Sequence, residues 1–416
     1  MRSRLTLVCA LVLMAACGRA PGASLASGDY KLYEAVSERS QIAVIDSQSH
    51  AIERWLQLGT PSSDWKHLYS VAGAALADID PQTGAAVRSL NLPGYFQLPP
   101  STLSGMPGGL SQNGQWIVLE SFDNTPTNGQ PSASHFLVVN TSLHSTPVRI
   151  DMKGYFEFDA ISNDGGNLYV IEYVSANAYR VRIYEVSAQQ LNPQVVVDKS
   201  NPTDSMTGLR LSGIPSQDGA YLYSIYVRQT GSPFIHALNT QGNPIAFCID
   251  LPGSGYQSSD NAFQWSLAMS SDGSHLYATN AATGAVSELN ISDASPDLAR
   301  TVQVDSGRAV AGLFAQDVQA KAFGANGAVI SPDGKTLVTL ASSGIVWVDT
   351  SNLRARTHAL TNWNVWSLAL SPDGKLLYAL SDSGKIAEVS MDSGKVNATF
   401  DPGARNPMAL MRVAAA

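Results

Sequence analysis

The sequence predicts an all-β fold made of repeated four-stranded antiparallel sheets. Three observations carry that expectation. A short turn motif recurs along most of the chain, an apolar strand of alternating pattern follows each copy, and no long helical pattern interrupts the series. Residues 368 to 390, LALSPDGKLLYALSDSGKIAEVS, show the unit most clearly. Leu368-Ala369-Leu370 reads as one strand, Ser371-Pro372-Asp373-Gly374-Lys375 as a turn, 376–380 as a second strand and 385–389 as a third. Pro372 pre-sets φ for the second turn position, Asp373 can accept bonds from the backbone just beyond it, and Gly374 supplies the positive φ that reverses the chain.

Copies of the turn, each before an apolar strand, are Ser111-Gln112-Asn113-Gly114, Ser162-Asn163-Asp164-Gly165, Ser216-Gln217-Asp218-Gly219, Ser270-Ser271-Asp272-Gly273 and Ser331-Pro332-Asp333-Gly334. From Gly114 to Gly374 the glycines are 51, 54, 54, 61 and 40 residues apart, the spacing of β-propeller blades. Ser62-Ser63-Asp64-Trp65 is a weaker copy. A tryptophan at positive φ is costly, so another turn geometry is expected there. Second halves recur as well, in 42–46, 76–80, 136–140 and 345–349. Four strands cannot bury two faces alone; arranged radially, each sheet is covered by two neighbours.

These SPDG turns and their strands resemble the YVTN and WD40-like repeats of bacterial extracellular propellers, over roughly residues 30 to 414. The resemblance implies a β-propeller of seven or eight four-stranded antiparallel blades, and the repeats count to eight. Residues 31–36 and 42–46 look like a unit lacking its first strand, and 407–413 resembles the missing strand. The ring is therefore expected to close by mixing the N- and C-terminal strands in one blade. If the weak 60–93 unit merges with its neighbour, the count falls to seven.

The chain has 416 residues, a net charge of −8 and only 14% charged residues, against about 25% in an average soluble domain. With no Lys/Arg run, nucleic acid is not an expected partner. Arg2 and Arg4 precede an apolar stretch at 5–13, which has signal-peptide length and is too short to span a bilayer. Leu13-Met14-Ala15-Ala16-Cys17-Gly18 resembles the lipobox of bacterial lipoproteins, with Met14 where Leu is commonest. It implies cleavage before Cys17, acylation of its thiol and anchoring to a bacterial membrane. An ordinary secretory signal is the other reading. Residues 1–17 are then the signal peptide, 18–29 a flexible tether and 30–416 one propeller domain. Cys248 is left as the only thiol, expected to be a buried, inert strand residue.

The connections between first and second strands are short turns. The long insertions, 94–108, 121–134, 252–263 and 305–325, all fall between second and third strands or between blades, and so at one end of the fold. Long loops gathered on a rigid scaffold are where ligands bind. The candidate binding face there is Tyr95, Phe96, Asp123, Asn124, Tyr256, Asp260, Asn261, Trp363 and Asn364. Asp317 and Phe323 share those loops, and Phe156, Glu157, Phe158, Trp265 and Trp366 stand near the inner strands, where large aromatics read as packing.

Chemical motifs are sparse. The seven histidines form no H-x-H or H-E-x-x-H pair, so no metal site is expected. No haem-attachment, P-loop or G-x-S-x-G motif occurs, and no cofactor is expected. The favoured reading is a monomeric, lipid-anchored, envelope-exposed binding or scaffolding module for a protein partner or envelope ligand, and not an enzyme. The alternative is a propeller hydrolase acting on a lactone or sugar derivative through channel carboxylates, with or without a metal. Three or more carboxylates converging near the axis would favour it.

Overall fold

The computed structural model describes residues 28–38, 40–102, 105–123, 129–175, 178–202, 206–255, 259–292, 295–305 and 326–416. The signal segment with Cys17 and most of the tether lie outside them, as do Asn124, Tyr256, Asp317 and Phe323.

In chain order the first unit contains β1 (Tyr30–Val36), β2 (Gln41–Asp46) and β3 (Ile52–Gln57). The second is β4 (Thr60–Pro61), β5 (Leu68–Ala72), β6 (Ala75–Ile79) and β7 (Ala86–Asn91); the third is β8 (Trp116–Phe122), β9 (Ala133–Asn140) and β10 (Val148–Lys153). The fourth is β11 (Phe156–Ile161), β12 (Asn167–Ser175), β13 (Ala178–Glu185) and β14 (Gln190–Asp198). The fifth is β15 (Leu209–Pro215), β16 (Tyr221–Val227), β17 (Pro233–Asn239) and β18 (Ile245–Asp250). A single helical turn, α1 (Ser259–Ala262), precedes the sixth, β19 (Trp265–Met269), β20 (His275–Asn280), β21 (Ala285–Asn290) and β22 (Asp297–Gln303). Then come β23 (Ala328–Ile330), β24 (Thr336–Ala341), β25 (Gly344–Asp349) and β26 (Arg354–Ala359), followed by β27 (Val365–Leu370), β28 (Leu376–Ser381), β29 (Ile386–Ser390) and β30 (Val396–Phe400). The last strand, β31 (Pro407–Ala415), pairs antiparallel with β1, Val413 opposite Leu32 and Leu410 opposite Glu34. The fourth and fifth units form one eight-stranded sheet, because their outer strands β14 and β18 share a short parallel pairing, Val197 with Ile245 and Asp198 with Ala246.

First strands of neighbouring units touch, β15 with β19, β19 with β23, β23 with β27 and β27 with β31, so they form the inside. Exposure rises outward. β17 and β28 are buried along their whole length, whereas β7 and β30 are mostly exposed. Both faces of the middle strands are apolar, and each packs on the next unit. Val118 and Phe136 meet Phe158 and Val170 across the third and fourth units. Leu211 and Ile235 meet Trp265 and Leu276 across the fifth and sixth. Leu32, Ile45 and Leu410 of the first unit meet Tyr378, Leu380 and Ile386 of the last.

The turns are built as their residues dictate. In the last unit Ser371 Oγ donates to Asp373 Oδ1 at 2.7 Å, Lys375 N donates to the same oxygen at 3.1 Å, and Leu376 N to Ser371 Oγ at 2.9 Å. Gly374 takes φ 68°. The weak copy departs from expectation. Trp65 adopts φ 57°, and Ser62, Asp64, Lys66 and His67 repeat the same bonds. The strained indole is held by packing: Tyr33 lies 5.2 Å from it centroid to centroid, and the Arg412 guanidinium 5.4 Å from its ring. Neighbouring turns are also tied together. Asn113 N donates to Asn163 Oδ1, Asn163 Nδ2 to Asp218 O, Gln217 Nε2 to Ser271 O, and Ser271 Oγ to Pro332 O.

The 94–108 insertion also differs from a plain surface loop. Gln97 bridges to Glu120 and Leu110 to Ile117, so the innermost strand position of the third unit is interrupted by 98–109. That excursion reaches inward across the first strands: Thr60 Oγ1 donates to Gly108 O at 2.6 Å and Arg210 Nη2 to Pro100 O at 3.3 Å.

Two predictions follow from the seam between first and last units. Ending the chain at Asn406 removes β31 and leaves β1 an open edge against an uncovered apolar face. Loss of cooperative urea unfolding and a gain of aggregation, seen by light scattering, are expected. Glu34 is fully buried in the same seam with neither carboxylate oxygen hydrogen-bonded. Desolvation, helped by the charge of Asp401, pushes its pKa from 4.5 to about 8. The folded chain therefore binds a proton that the unfolded chain has released, so stability falls as pH rises from 4.5 to 8. Glu34→Gln should gain on the order of 2–4 kcal/mol at the upper end of that window and almost nothing at the lower end, read from denaturant midpoints.

Candidate functional site

The strand directions put the SPDG turns at one end and the long connections at the other. The described candidate residues at the long-loop end do not converge on one spot. Tyr95 is 82% exposed, while Phe96 is buried against Leu119 and Leu137. Asp123 accepts from His135 Nε2 at 3.1 Å, and His135 Nδ1 lies 2.6 Å from Asp151 Oδ1. Asn261 Nδ2 donates to Gly255 O and Asn364 Nδ2 to Asp382 Oδ2, both local loop bonds. Asp260 lies in α1, and its side chain lies outside the described set. Trp363 packs against the Ile345–Leu368 cluster. Phe156, Phe158 and Trp265 are buried between units, as packing aromatics should be.

Several ionic groups that look catalytic in isolation are repeated ladder positions. Asp78 is buried, takes Arg88 Nη2 at 2.6 Å and lies 2.9 Å from His67 Nδ1. Glu288 takes Arg300 Nε at 2.6 Å and the Tyr277 hydroxyl at 3.0 Å, and Glu388 takes the Tyr378 hydroxyl at 3.0 Å. Tyr69, Asp78 and Arg88 share one register row of the second unit, as do Tyr277, Glu288 and Arg300 in the sixth. A motif repeated in equivalent sheet rows fastens strands; it does not mark one reaction centre. Among the described residues, no group of three or more His, Cys, Asp or Glu is close enough to hold a metal ion.

The polar cluster without such a repeat lies between the third, fourth and fifth units. β11 carries Glu157 and Asp159, and a bulge between Phe158 and Ala160 re-aims the latter. Asp159 Oδ1 takes Arg210 Nη1 at 2.7 Å, across to β15. Glu157 accepts from the Tyr155 hydroxyl, and from the Tyr173 hydroxyl at 2.6 Å; burial and this carboxylate raise both phenol pKa values. Glu120 is 2% exposed and accepts from Phe158 N at 3.3 Å. Burial, with Glu157 nearby, lifts its pKa to about 7.

Beside this cluster an open cleft of about 440 Å³ separates the fourth and fifth units at the long-loop end. Tyr173, Tyr179, Arg210, Tyr226, Val227 and Phe263 are among its walls. Tyr179 and Tyr226 stack with centroids 5.5 Å apart, and Tyr226 meets His236 edge-on at 5.4 Å. The hydroxyls of Tyr179 and Tyr226, His236 Nε2 and Asp159 Oδ2 have no hydrogen-bond partner in the protein. Each such buried group carries a penalty of about 1–3 kcal/mol. Burial keeps His236 neutral by lowering its pKa. Cys248 Sγ lies 3.6 Å from His236 Nδ1, and burial pushes its thiol up to about 12, which makes it an unreactive strand residue. Sequence reasoning missed the tyrosines, since in strands their alternation is that of ordinary core residues.

Solved structures with the same architecture share little sequence. Apo AztD from Citrobacter koseri superposes with a TM-score of 0.53 at 10% identity, over 93% of this chain and 98% of that one. The fold is a β-propeller. Dihydro-heme d1 dehydrogenase NirN, in complex with DHE, gives 0.52 at 12% identity, over 93% of this chain and 76% of that one. The Pseudomonas aeruginosa periplasmic gluconolactonase PpgL gives 0.43 at 16% identity, over 91% and 97%, a score too low to carry weight. No protein-family model and no curated protein sequence matches this chain. At these identities the likeness concerns the propeller fold and nothing finer.

Arg210→Ala is expected to strand Asp159, whose side chain is 2% exposed, as an uncompensated buried carboxylate. A loss of about 3–5 kcal/mol in urea unfolding is expected; Arg210→Met together with Asp159→Leu should recover most of it.

Proposed function

We propose that this propeller, with eight blades and a ring closed through β31, is an extracytoplasmic binding module, tethered to a bacterial membrane through lipidated Cys17. In this reading the long-loop end is the working face. The observation that supports it best is the aromatic-walled cleft at that end, between the fourth and fifth units, where buried polar atoms are left unpartnered. Polar atoms with nothing to bond inside the protein are suited to bonding something brought from outside. The described end of the tether agrees with this reading, since Gly28 and Asp29 lead directly into β1. The Gly28 carbonyl there already accepts from Ser47 Oγ at 3.0 Å.

A hydrolase reading draws on Glu120 of β8 and Glu157 and Asp159 of β11, three carboxylates of neighbouring units, one with a pKa near neutrality. Their bonding argues against it. Glu157 is held by two phenol hydroxyls, Asp159 by Arg210, and Glu120 is buried against the Phe158 amide. An acid–base pair must reach a substrate, and these face protein.

The test uses the full-length tagged chain. Wild type should label with a palmitate analogue and fractionate with membranes, while Cys17→Ser does neither. Solubilised wild type should retain an envelope component detectable by native mass spectrometry, and replacing 252–258 by a Gly-Ser turn should release it. Turnover of δ-gluconolactone or nitrophenyl glycosides that Glu120→Gln abolishes would instead establish the hydrolase.

A further inference from the structure

Among the described residues, several buried polar atoms without a hydrogen-bond partner fall together at one place. Tyr179, Tyr226, His236 and Asp159 are 4%, 1%, 1% and 5% exposed, stand on facing strands of the fourth and fifth units, and each keeps a polar atom without a partner. Tyr179 and Tyr226 line the cleft, and His236 and the Asp159–Arg210 pair adjoin them. The other polar groups of the region are used. Glu157 is capped by Tyr155 and Tyr173, and Arg228 pairs with Asp250 at 2.7 Å while lying over Phe234.

The charge inventory selects the ligand class. Arg210 is already neutralised by Asp159, and Glu157 stands close enough to add negative potential. An anion would find both guanidiniums of the walls, Arg210 and Arg228, already engaged, by Asp159 and Asp250. A cation would find those carboxylates already bonded. What is unsatisfied at the cleft's own walls is the two hydroxyls of Tyr179 and Tyr226, which both donate and accept. A molecule with several adjacent hydroxyls matches that set, since each of its hydroxyls also donates and accepts. Its C–H faces suit walls of Tyr173, Val227 and Phe263.

We propose that the cleft between the fourth and fifth units binds a small, uncharged, polyhydroxylated ring, a sugar unit in chemical class, anchored by the hydroxyls of Tyr179 and Tyr226. This inference rests on the binding-module reading and gives it a ligand class. The mouth of the cleft carries Gln229, which is exposed and clear of the packed faces.

The experiment measures thermal shift and calorimetric binding on the detergent-solubilised full chain. The probes are glucose, galactose and N-acetylglucosamine, with gluconate and glucosamine as charged counterparts. At least one neutral sugar should stabilise wild type, and the charged probes should not. Tyr179→Phe with Tyr226→Phe should raise the melting temperature of the sugar-free protein, because two unpartnered hydroxyls are gone, and should weaken sugar binding at least tenfold. Gln229→Trp should block binding with no change in the sugar-free melting temperature, which separates loss of the site from loss of the fold. The proposal is overturned if no neutral sugar binds, if the charged probes bind as well, or if the Phe variants bind like wild type. Sugar binding lost while the 252–258 replacement still releases an envelope component would sink this site and leave the binding module standing. Neither signal would sink both.

Discussion

Every sheet in this chain is apolar on both faces, and that constraint governs the rest. A four-stranded sheet such as β27 to β30 has Leu368, Leu377 and Val389 on one side and Ala369, Tyr378 and Ile386 on the other. Neither side can face water, so each unit needs a neighbour on both flanks. The problem is passed along the chain until the last unit meets the first. β31 belongs to that requirement: without it, β1 would present an open edge where Leu32 and Ile45 pack on Tyr378. Glu34 is placed in the same seam as a buried carboxyl without a partner, so the closing contact itself carries a dependence on pH.

Much of the scaffold was legible because turn chemistry is local. Ser, Asp and Gly at fixed offsets specify three hydrogen bonds and one positive φ, and Gly374 and its counterparts show all four. Trp65 shows where local reasoning stops. Propensity argues against a left-handed tryptophan, yet contacts from Tyr33 and Arg412, distant in sequence, hold it there. The 98–109 excursion was illegible for a similar reason. Its composition is that of a surface loop, and its course is set by acceptors at Gly108 and Pro100 that meet Thr60 and Arg210 of other units.

The candidate face was harder to read. Loop residues such as Asp123, Asn261 and Asn364 were singled out for chemical type, but their side chains serve the loops themselves. Tyr173, Tyr179 and Tyr226 carried no signal, because an aromatic in an alternating strand is ordinarily core. What distinguishes them is relational: whether a hydroxyl ends on a carboxylate, as Tyr277 and Tyr378 do, or on nothing, as Tyr179 and Tyr226 do. No one-dimensional pattern encodes that difference.

The pairing of β14 with β18 bears on why the cleft persists. Elsewhere among the described residues neighbouring units are joined by packing and scattered side-chain bonds without strand pairing, and a polar gap between them would be closed by small rotations of the sheets. Here Val197 N donates to Pro244 O and Lys199 N to Ala246 O at the outer edge, while Asp159 and Arg210 join the inner strands. Fastened at both its outer and inner margins, the interface cannot easily collapse onto the phenols between them. Packing that would have satisfied those buried hydroxyls is given up, and the two ties hold their separation. A cost retained between two fixed margins is the physical signature of a preorganised site, since the ordering needed for binding is then met during folding and not at the moment of encounter.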